Sequence, residues 1–367
     1  MNRTICIDAR LWGTRHTGIG RYIENLIANL PPAAVNQVVL IVPPDLKREP
    51  QLAKFTKLYA SSHPYSLLSQ AEMFFLLLKL RPGLLHVPHF TIPLLWPGRT
   101  VVTIHDLIKH ISTGPATTTR SPLLYRLKYW GYLIIFKAAV RRSVRILVPA
   151  GFWKSELISR YHLPSDKIVV TNEGVNVQVF SAVPDHFTPP FTDPYVIYTG
   201  NLYPHKNVPL LLQSIKQLGG QMKLVIVCAR SVFTDRLSRL VTGLSLQSDV
   251  RFVSSVTDSQ LAGLYARARA FVTPSLIEGF GLPGLEAMAA GTPVLAARAS
   301  CLPEIYGSAA LYFDPHQAGE LASLIKKVSA SEKLRQDLIA RGKAQIVKYS
   351  WVKMASLTWQ TYQNALP

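Results

Sequence analysis

Short apolar segments alternate with helical patterns along almost the whole chain, and that rhythm constrains the fold more than any other feature. Residues 4–9, 38–42, 84–87, 101–104 and 144–148 each read as a short, largely apolar strand. Helical patterns stand between them near residues 22–30, 69–80 and 123–142. Strands this short and this apolar imply parallel pairing in a sheet covered on both faces. The rhythm pauses at 181–194, where proline and polar residues gather as in a linker. It resumes with strands at 195–199, 223–227, 250–253, 270–273 and 293–296, and ends on helical patterns near 316–328, 331–348 and 351–364. The expected fold is α/β, with two Rossmann-like, doubly wound domains at 1–180 and 181–350 and a last helix in 351–367. Two such domains on a hinge make a cleft, and ligands sit beyond the carboxyl ends of the strands.

A chain of 367 residues, 48% of them hydrophobic, can bury a core in each domain, which argues against disorder. Cys6, Cys228 and Cys301 are far apart and form no C-x-x-C pair, so neither a disulfide framework nor a zinc site is expected, and a reducing cytosol fits. The first residues read straight into a strand, so no signal peptide is expected, and no apolar run reaches the ~18 residues that span a bilayer. The formal net charge is +19. Residues 1–180 carry 22 Lys and Arg against 9 Asp and Glu, and nine basic residues but no acidic one lie between Asp106 and Glu156. Such a field attracts polyanions, anionic lipid or phosphorylated substrates; a basic but inert surface is the plain alternative.

The stretch from Pro274 to Val294 carries the most chemistry: a strand end, a glycine-containing turn at Gly279 and Gly281, then a helix opening at Leu282 with Pro283 in its first turn. Backbone N–H groups at Phe280, Gly281 and Leu282 would make a phosphate site at a helix start. Glu278 lies in the loop and Glu286 inside the helix. Two carboxylates beside a phosphate make sense as acceptors for sugar and ribose hydroxyls at either end of a diphosphate. One capping and one surface carboxylate would be the ordinary reading. Gly18 and Gly20 lie between the first strand and first helix, where glycine lets backbone approach a ligand; Ile23 stands where a dinucleotide fingerprint needs a third glycine. The chain has no Asp-x-Asp, P-loop, G-x-S-x-G or H-E-x-x-H.

The Glu278-x7-Glu286 stretch resembles the signature of glycosyltransferase family 4, retaining enzymes of GT-B fold, and weaker motifs extend the resemblance over most of the chain. The resemblance implies that Glu278 lies against the donor sugar and Glu286 holds the ribose. It makes Gly200 to Asn207 the phosphate-binding turn, with Lys206 facing the donor phosphates. Asn201 and His205 stand there where relatives often carry Arg or another polar donor. The segment at Gly18 and Gly20 is similar to the family's glycine loop near the diphosphate and acceptor. His105, at a strand end, matches a histidine placed close to the transferred sugar, with Asp106 orienting local backbone or His105. Glu304 is a polar contact in a structural segment.

The implied activity is transfer of a hexose from a nucleotide sugar, first mannose from GDP-mannose, with UDP-sugars close behind, to a glycan or polyprenyl-diphosphate-linked acceptor of cell-surface polysaccharide. No cofactor or metal is required on this reading; Lys206 and amide dipoles meet the leaving charge. Front-face displacement is favoured over a covalent intermediate. The mixed basic and aromatic stretch 125–142 reads either as docking on the inner face of an anionic membrane or as an internal helix with solvated charges. No nucleic-acid module is visible. Two alternatives stay open: an NAD-dependent oxidoreductase with two Rossmann domains, and a nucleic-acid-binding or scaffold protein on a degenerate transferase fold.

Overall fold

The computed structural model describes residues 3–13, 17–114, 121–182, 187–229 and 232–367. Of the proline-rich stretch 181–194, residues 183–186 lie outside the described residues. The chain divides into two compact units. One comprises Met1–Leu107, Thr118–Gly174 and Trp351–Pro367; the other comprises Ile108–Thr117 and Val175–Ser350.

The first unit is built on a seven-stranded sheet. Its strands are β1 (Ile5–Asp8), β2 (Val38–Val42), β3 (Thr56–Tyr59), β4 (Leu84–Val87), β5 (Thr100–Thr103), β6 (Arg145–Val148) and β7 (Ile168–Val170). They lie in the order β3-β2-β1-β4-β5-β6-β7, every pair parallel. The order reverses between β1 and β4, so the loops after those strands splay apart and leave room for a ligand. β1, β2, β4 and β5 are buried along their whole length, as central strands of a sheet covered on both faces must be. The terminal helix Trp351–Ala365 packs in this unit beside the helix Thr17–Ala28.

The second unit carries β8 (Tyr195–Thr199), β9 (Lys223–Val227), β10 (Val250–Val253), β11 (Ala270–Thr273), β12 (Val294–Ala297) and β13 (Ala310–Phe313). Their order is β10-β9-β8-β11-β12-β13, again all parallel, with the switch point between β8 and β11. The expected α/β, doubly wound architecture is therefore observed in both units. Three strands escape the sequence pattern, β3, β7 and β13, and each lies at the edge of its sheet. The edge strand β3, Thr56-Lys57-Leu58-Tyr59, is largely exposed and carries polar residues, so it lacks the apolar run that marks a central strand, whereas β7 and β13 are short apolar edges.

The expected glycine loop at 17–22 is corrected. Gly18 and Gly20 fall inside the first turn of the helix Thr17–Ala28. A Cβ on Gly20 would run into the carbonyl oxygen of Gly13, and space around Gly18 is open. The close approach that requires glycine at position 20 is thus between two parts of this chain's own backbone.

Candidate active site

At the switch point of the second unit, β8 and β11 deliver two loops to the same sheet edge, and the backbone N–H of Leu276 donates to the carbonyl of His205 at 2.8 Å to join them. The junction brings Lys206 onto Glu278. The ammonium lies 2.7 Å from both carboxylate oxygens, and the two side chains are only 13% and 14% exposed. A charge-assisted contact of this kind is short and fixes both partners.

Three further groups hold Glu278. The Ser275 hydroxyl donates to Oε1 at 2.6 Å and lies 3.3 Å from the Thr273 hydroxyl. The Glu278 N–H donates to the Ser300 hydroxyl at 3.0 Å, and the Cys301 thiol donates to the Glu278 carbonyl at 3.2 Å. Cys301 is buried, and burial raises its thiol well above the ordinary range, so it remains a neutral S–H donor. The segment read from sequence as structural is therefore a brace for Glu278. Glu304, two residues beyond Leu302, is exposed.

The turn after Glu278 depends on glycine. Gly281 caps the helix Leu282–Ala289 with φ of 95°, in the left-handed region that only glycine adopts freely. The hydroxyl of fully buried Tyr306 donates to the Gly281 carbonyl at 2.6 Å, and a Cβ on Gly284 would collide with the same ring. Tyr306 thereby sets where this helix begins. Phe280 is buried edge-on to Tyr349, Leu282 is half-buried, and Glu286 is a buried carboxylate in the second turn.

On the β8 side, Gly200 turns at φ of 148°, and the Asn201 carbonyl accepts from Tyr198 Oη at 2.5 Å. The Asn201 side chain is exposed and its Oδ1 accepts from the Tyr203 N–H at 3.4 Å, a local turn contact. His205 is half-buried and stacks on Tyr203. Burial, and then the Lys206 charge, pushes the His205 imidazolium down to about 4, with Glu278 opposing. At neutral pH the turn therefore presents one cation, Lys206, and a neutral ring.

In the first unit His105 follows β5. Its Nε2–H donates to the Pro88 carbonyl at 3.1 Å, its Nδ1 faces Glu173 Oε1 at 3.4 Å, and Tyr22 packs edge-on at 4.8 Å. Glu173, 5% exposed, was not singled out from sequence. Behind it the Thr103 hydroxyl meets Tyr22 Oη at 3.1 Å and His86 Nε2 at 2.9 Å. At the carboxyl end of β1, buried Asp8 and Arg10 pair through two contacts of 2.7 and 2.8 Å, and Arg10 also donates to Ser69. The structure thus brings Lys206, His205 and Glu278 together in the second unit, with Phe280, Gly281, Leu282 and Glu286 following on the adjoining helix. His105, Gly18 and Gly20 belong to the first. The sequence reading missed Ser275, Ser300, Tyr306 and Glu173. The only signal for them was their place within a few residues of strand ends.

Among the described residues no group of three or more His, Cys, Asp or Glu side chains is gathered so as to hold a metal ion. Nor is any described helix long and apolar enough to cross a membrane.

Comparison with known proteins matches each half to a family model, "Glycosyl transferases group 1" over residues 184–345 and "Glycosyltransferase Family 4" over residues 16–179. O-antigen chain mannosyltransferase B of Escherichia coli is 29% identical over 374 residues, covering 95% of this chain and 96% of the relative. O-antigen chain mannosyltransferase RfbU of Salmonella typhimurium is 29% identical over 274 residues, covering 73% of this chain and 70% of the relative. Among solved structures, Anabaena HepE in complex with UDP-glucose shares the fold, with a TM-score of 0.76, 15% identity, and coverage of 98% of this chain and 99% of the other.

Proposed function

This chain belongs to the GT-B, nucleotide-sugar-dependent glycosyltransferases of the family 4 and group 1 superfamily, and from that premise we propose that it is a retaining hexosyltransferase that moves mannose from GDP-mannose. The acceptor is a polyprenyl-diphosphate-linked glycan of cell-surface polysaccharide, met at the inner face of the cytoplasmic membrane. The named activity of the two O-antigen relatives supports the sugar.

The observation that carries the reading is the symmetric pair of Lys206 and Glu278 at the β8–β11 switch point. In this structure the ammonium satisfies the carboxylate. A diphosphate is a stronger competitor for that ammonium, because it offers more charge and more acceptor oxygens. Once Lys206 turns to the phosphates, Glu278 is freed to accept hydrogen bonds from the sugar hydroxyls. Ser275 and Ser300 keep it in place meanwhile. Charge that develops on the departing phosphate meets an ammonium already in position, which costs no reorganisation. In a front-face displacement the acceptor oxygen bonds to the anomeric carbon as the carbon–phosphate oxygen bond breaks. The leaving phosphate oxygen takes the hydroxyl proton, and configuration is retained. Glu286 is the ribose ligand in this scheme, and His105 is a hydrogen-bond partner of the sugar.

A thermal-shift series with GDP, UDP, ADP and their sugars tests the donor, since a ligand that binds only the native state raises its melting temperature. GDP and GDP-mannose are expected to stabilise most. A chain indifferent to every nucleotide and sugar nucleotide would sink the reading.

A further inference from the structure

The helix Pro122–Arg142 is apolar on two opposite faces. One face is accounted for by the core: Phe136, Ala139 and Val140 are buried, and Tyr132 and Phe136 pack on Phe90. The other carries Leu127, Trp130 and Ile134, spaced three and four residues apart and therefore in one stripe, and they are 60–63% exposed. A helix serving only its own core has no use for a second apolar stripe.

The same feature recurs on the helix Leu67–Leu80, where Leu68, Phe75 and Leu78 point outward while Met73 and Leu77 are buried. Both helices lead into strands on the same side of β1, one into β4 and one into β6, so right-handed crossovers put them on the same face of the sheet. The loop between β4 and β5 ties them together. Gln70 accepts from the Leu94 N–H and donates to the Ile92 carbonyl, and Arg142 donates to the carbonyls of Leu94 and Trp96. Leu95, held between those anchors, is 71% exposed. Arg126, Lys137 and Arg141 are exposed along the second helix, within the stretch from Asp106 to Glu156 that has no acidic residue.

We propose that the outer faces of these two helices, with Leu95 between them, form one surface that inserts into the headgroup layer of an anionic bilayer. It rests on the membrane-side acceptor proposed above and names the surface that reaches it. Exposed aliphatic and tryptophan side chains bordered by bases suit that interface, where the rings sit among headgroups and the cations meet lipid phosphates. A protein partner would need its own acidic rim around an apolar centre; an anionic bilayer supplies both.

The test is co-sedimentation of the full chain with vesicles of phosphatidylcholine alone and of equal parts phosphatidylglycerol and phosphatidylcholine. Binding to the anionic vesicles is expected to be at least roughly tenfold tighter and to weaken as salt rises. Phe75→Glu with Trp130→Glu should lower that binding by about tenfold or more while the nucleotide-induced thermal shift persists. Bromolipid quenching of tryptophan emission should fall in Trp130→Phe. Should the double variant fail to fold, Arg126→Gln with Lys137→Gln must still reduce both binding and its salt dependence. Wild-type protein that ignores anionic vesicles overturns the proposal. So does a double variant that binds as wild type, or a wild-type dimer that the double variant abolishes. Transfer to a detergent-solubilised acceptor reports separately on the activity.

Discussion

The hydroxyl of Tyr362 lies 2.5 Å from Nδ1 of His86, so the terminal helix is fastened to β4 across 276 positions of sequence. The other ring nitrogen meets Thr103, which in turn meets Tyr22. A neutral imidazole, donor at one nitrogen and acceptor at the other, satisfies both contacts. The Arg99 guanidinium adds a hydrogen bond of 2.6 Å to the Ala365 carbonyl at the end of the same helix.

Tyr362→Phe removes a buried hydrogen bond without changing shape. It leaves His86 with an unmet nitrogen, which costs about 1–3 kcal/mol. Chemical denaturation should show a loss of that size with an unchanged slope in denaturant. Wild-type stability in the variant would mean that the terminal helix is held by packing alone.

Burial, and the neighbouring His105, push the His86 imidazolium down to about 3 from 6.5. The unfolded chain therefore takes up a proton that the folded chain refuses. Stability tied to this ring is fully present above pH 6.5 and drains away as the pH falls toward 3, by up to roughly 1.4 kcal/mol per pH unit. His205, pushed down to about 4, acts with the same sign in the upper part of that window. Melting temperature measured between pH 7 and pH 4 should fall, and His86→Gln should flatten the fall. Parallel slopes in the two proteins would count against His86.

Much of this architecture can be read from the chain, because central parallel strands are forced to be apolar throughout. Residues 38–42, 84–87, 195–199, 223–227 and 270–273 are strands from end to end as the pattern implies, and so is the edge strand 250–253. The edge β3 evades it because half of an edge strand answers to water, while the apolar edges β7 and β13 went unread. Lys206 and Glu278 were each legible through motifs; their direct pairing was not, since it depends on how two loops 72 residues apart meet. Ser300 and Glu173 stayed hidden for a related reason. Each acts through a single polar atom brought in by the fold, and a lone serine or glutamate carries no periodicity and no spacing.

Glu278→Ala should cut transfer by about a hundredfold or more, the scale on which one preorganised polar group in an active site acts. Folding should survive, because Lys206 is partly exposed and can turn to water. Lys206→Ala should weaken nucleoside-diphosphate binding by roughly tenfold. The two effects should not add, since each change also releases the other's partner. Calorimetry on the single and double variants measures the coupling. Strict additivity would separate the two residues' roles.

Gly284→Ala should act on the nucleotide site through Tyr306. A methyl there meets the buried Tyr306 ring, which must shift, and the shift breaks the 2.6 Å bond to the Gly281 carbonyl. Overpacking of this sort costs about 1–3 kcal/mol. Tyr306→Phe removes only the hydroxyl and should cost about 1 kcal/mol. Both should reduce nucleotide affinity, the glycine change more. Full affinity in Gly284→Ala would show that the helix start does not depend on Tyr306.

His105 has both ring nitrogens engaged inside the first unit, so the sugar contact proposed for it requires exchanging a partner. The Glu173 contact, at 3.4 Å, is longer than the Pro88 contact at 3.1 Å and is the one that yields first. Glu173, almost wholly buried, nevertheless fixes the ring. Glu173→Gln keeps the shape but replaces a charged acceptor by an amide that can donate to Nδ1. The charged partner of that nitrogen is then gone while the ring's position is kept. The expected result is a turnover number lower by about tenfold, with little change in the KM for the nucleotide sugar. Glu173→Leu should lower turnover further and also cost stability, because the His105 nitrogen then loses its polar partner. If Glu173→Gln and wild type turn over alike at saturating donor, Glu173 is a packing residue and His105 works without it.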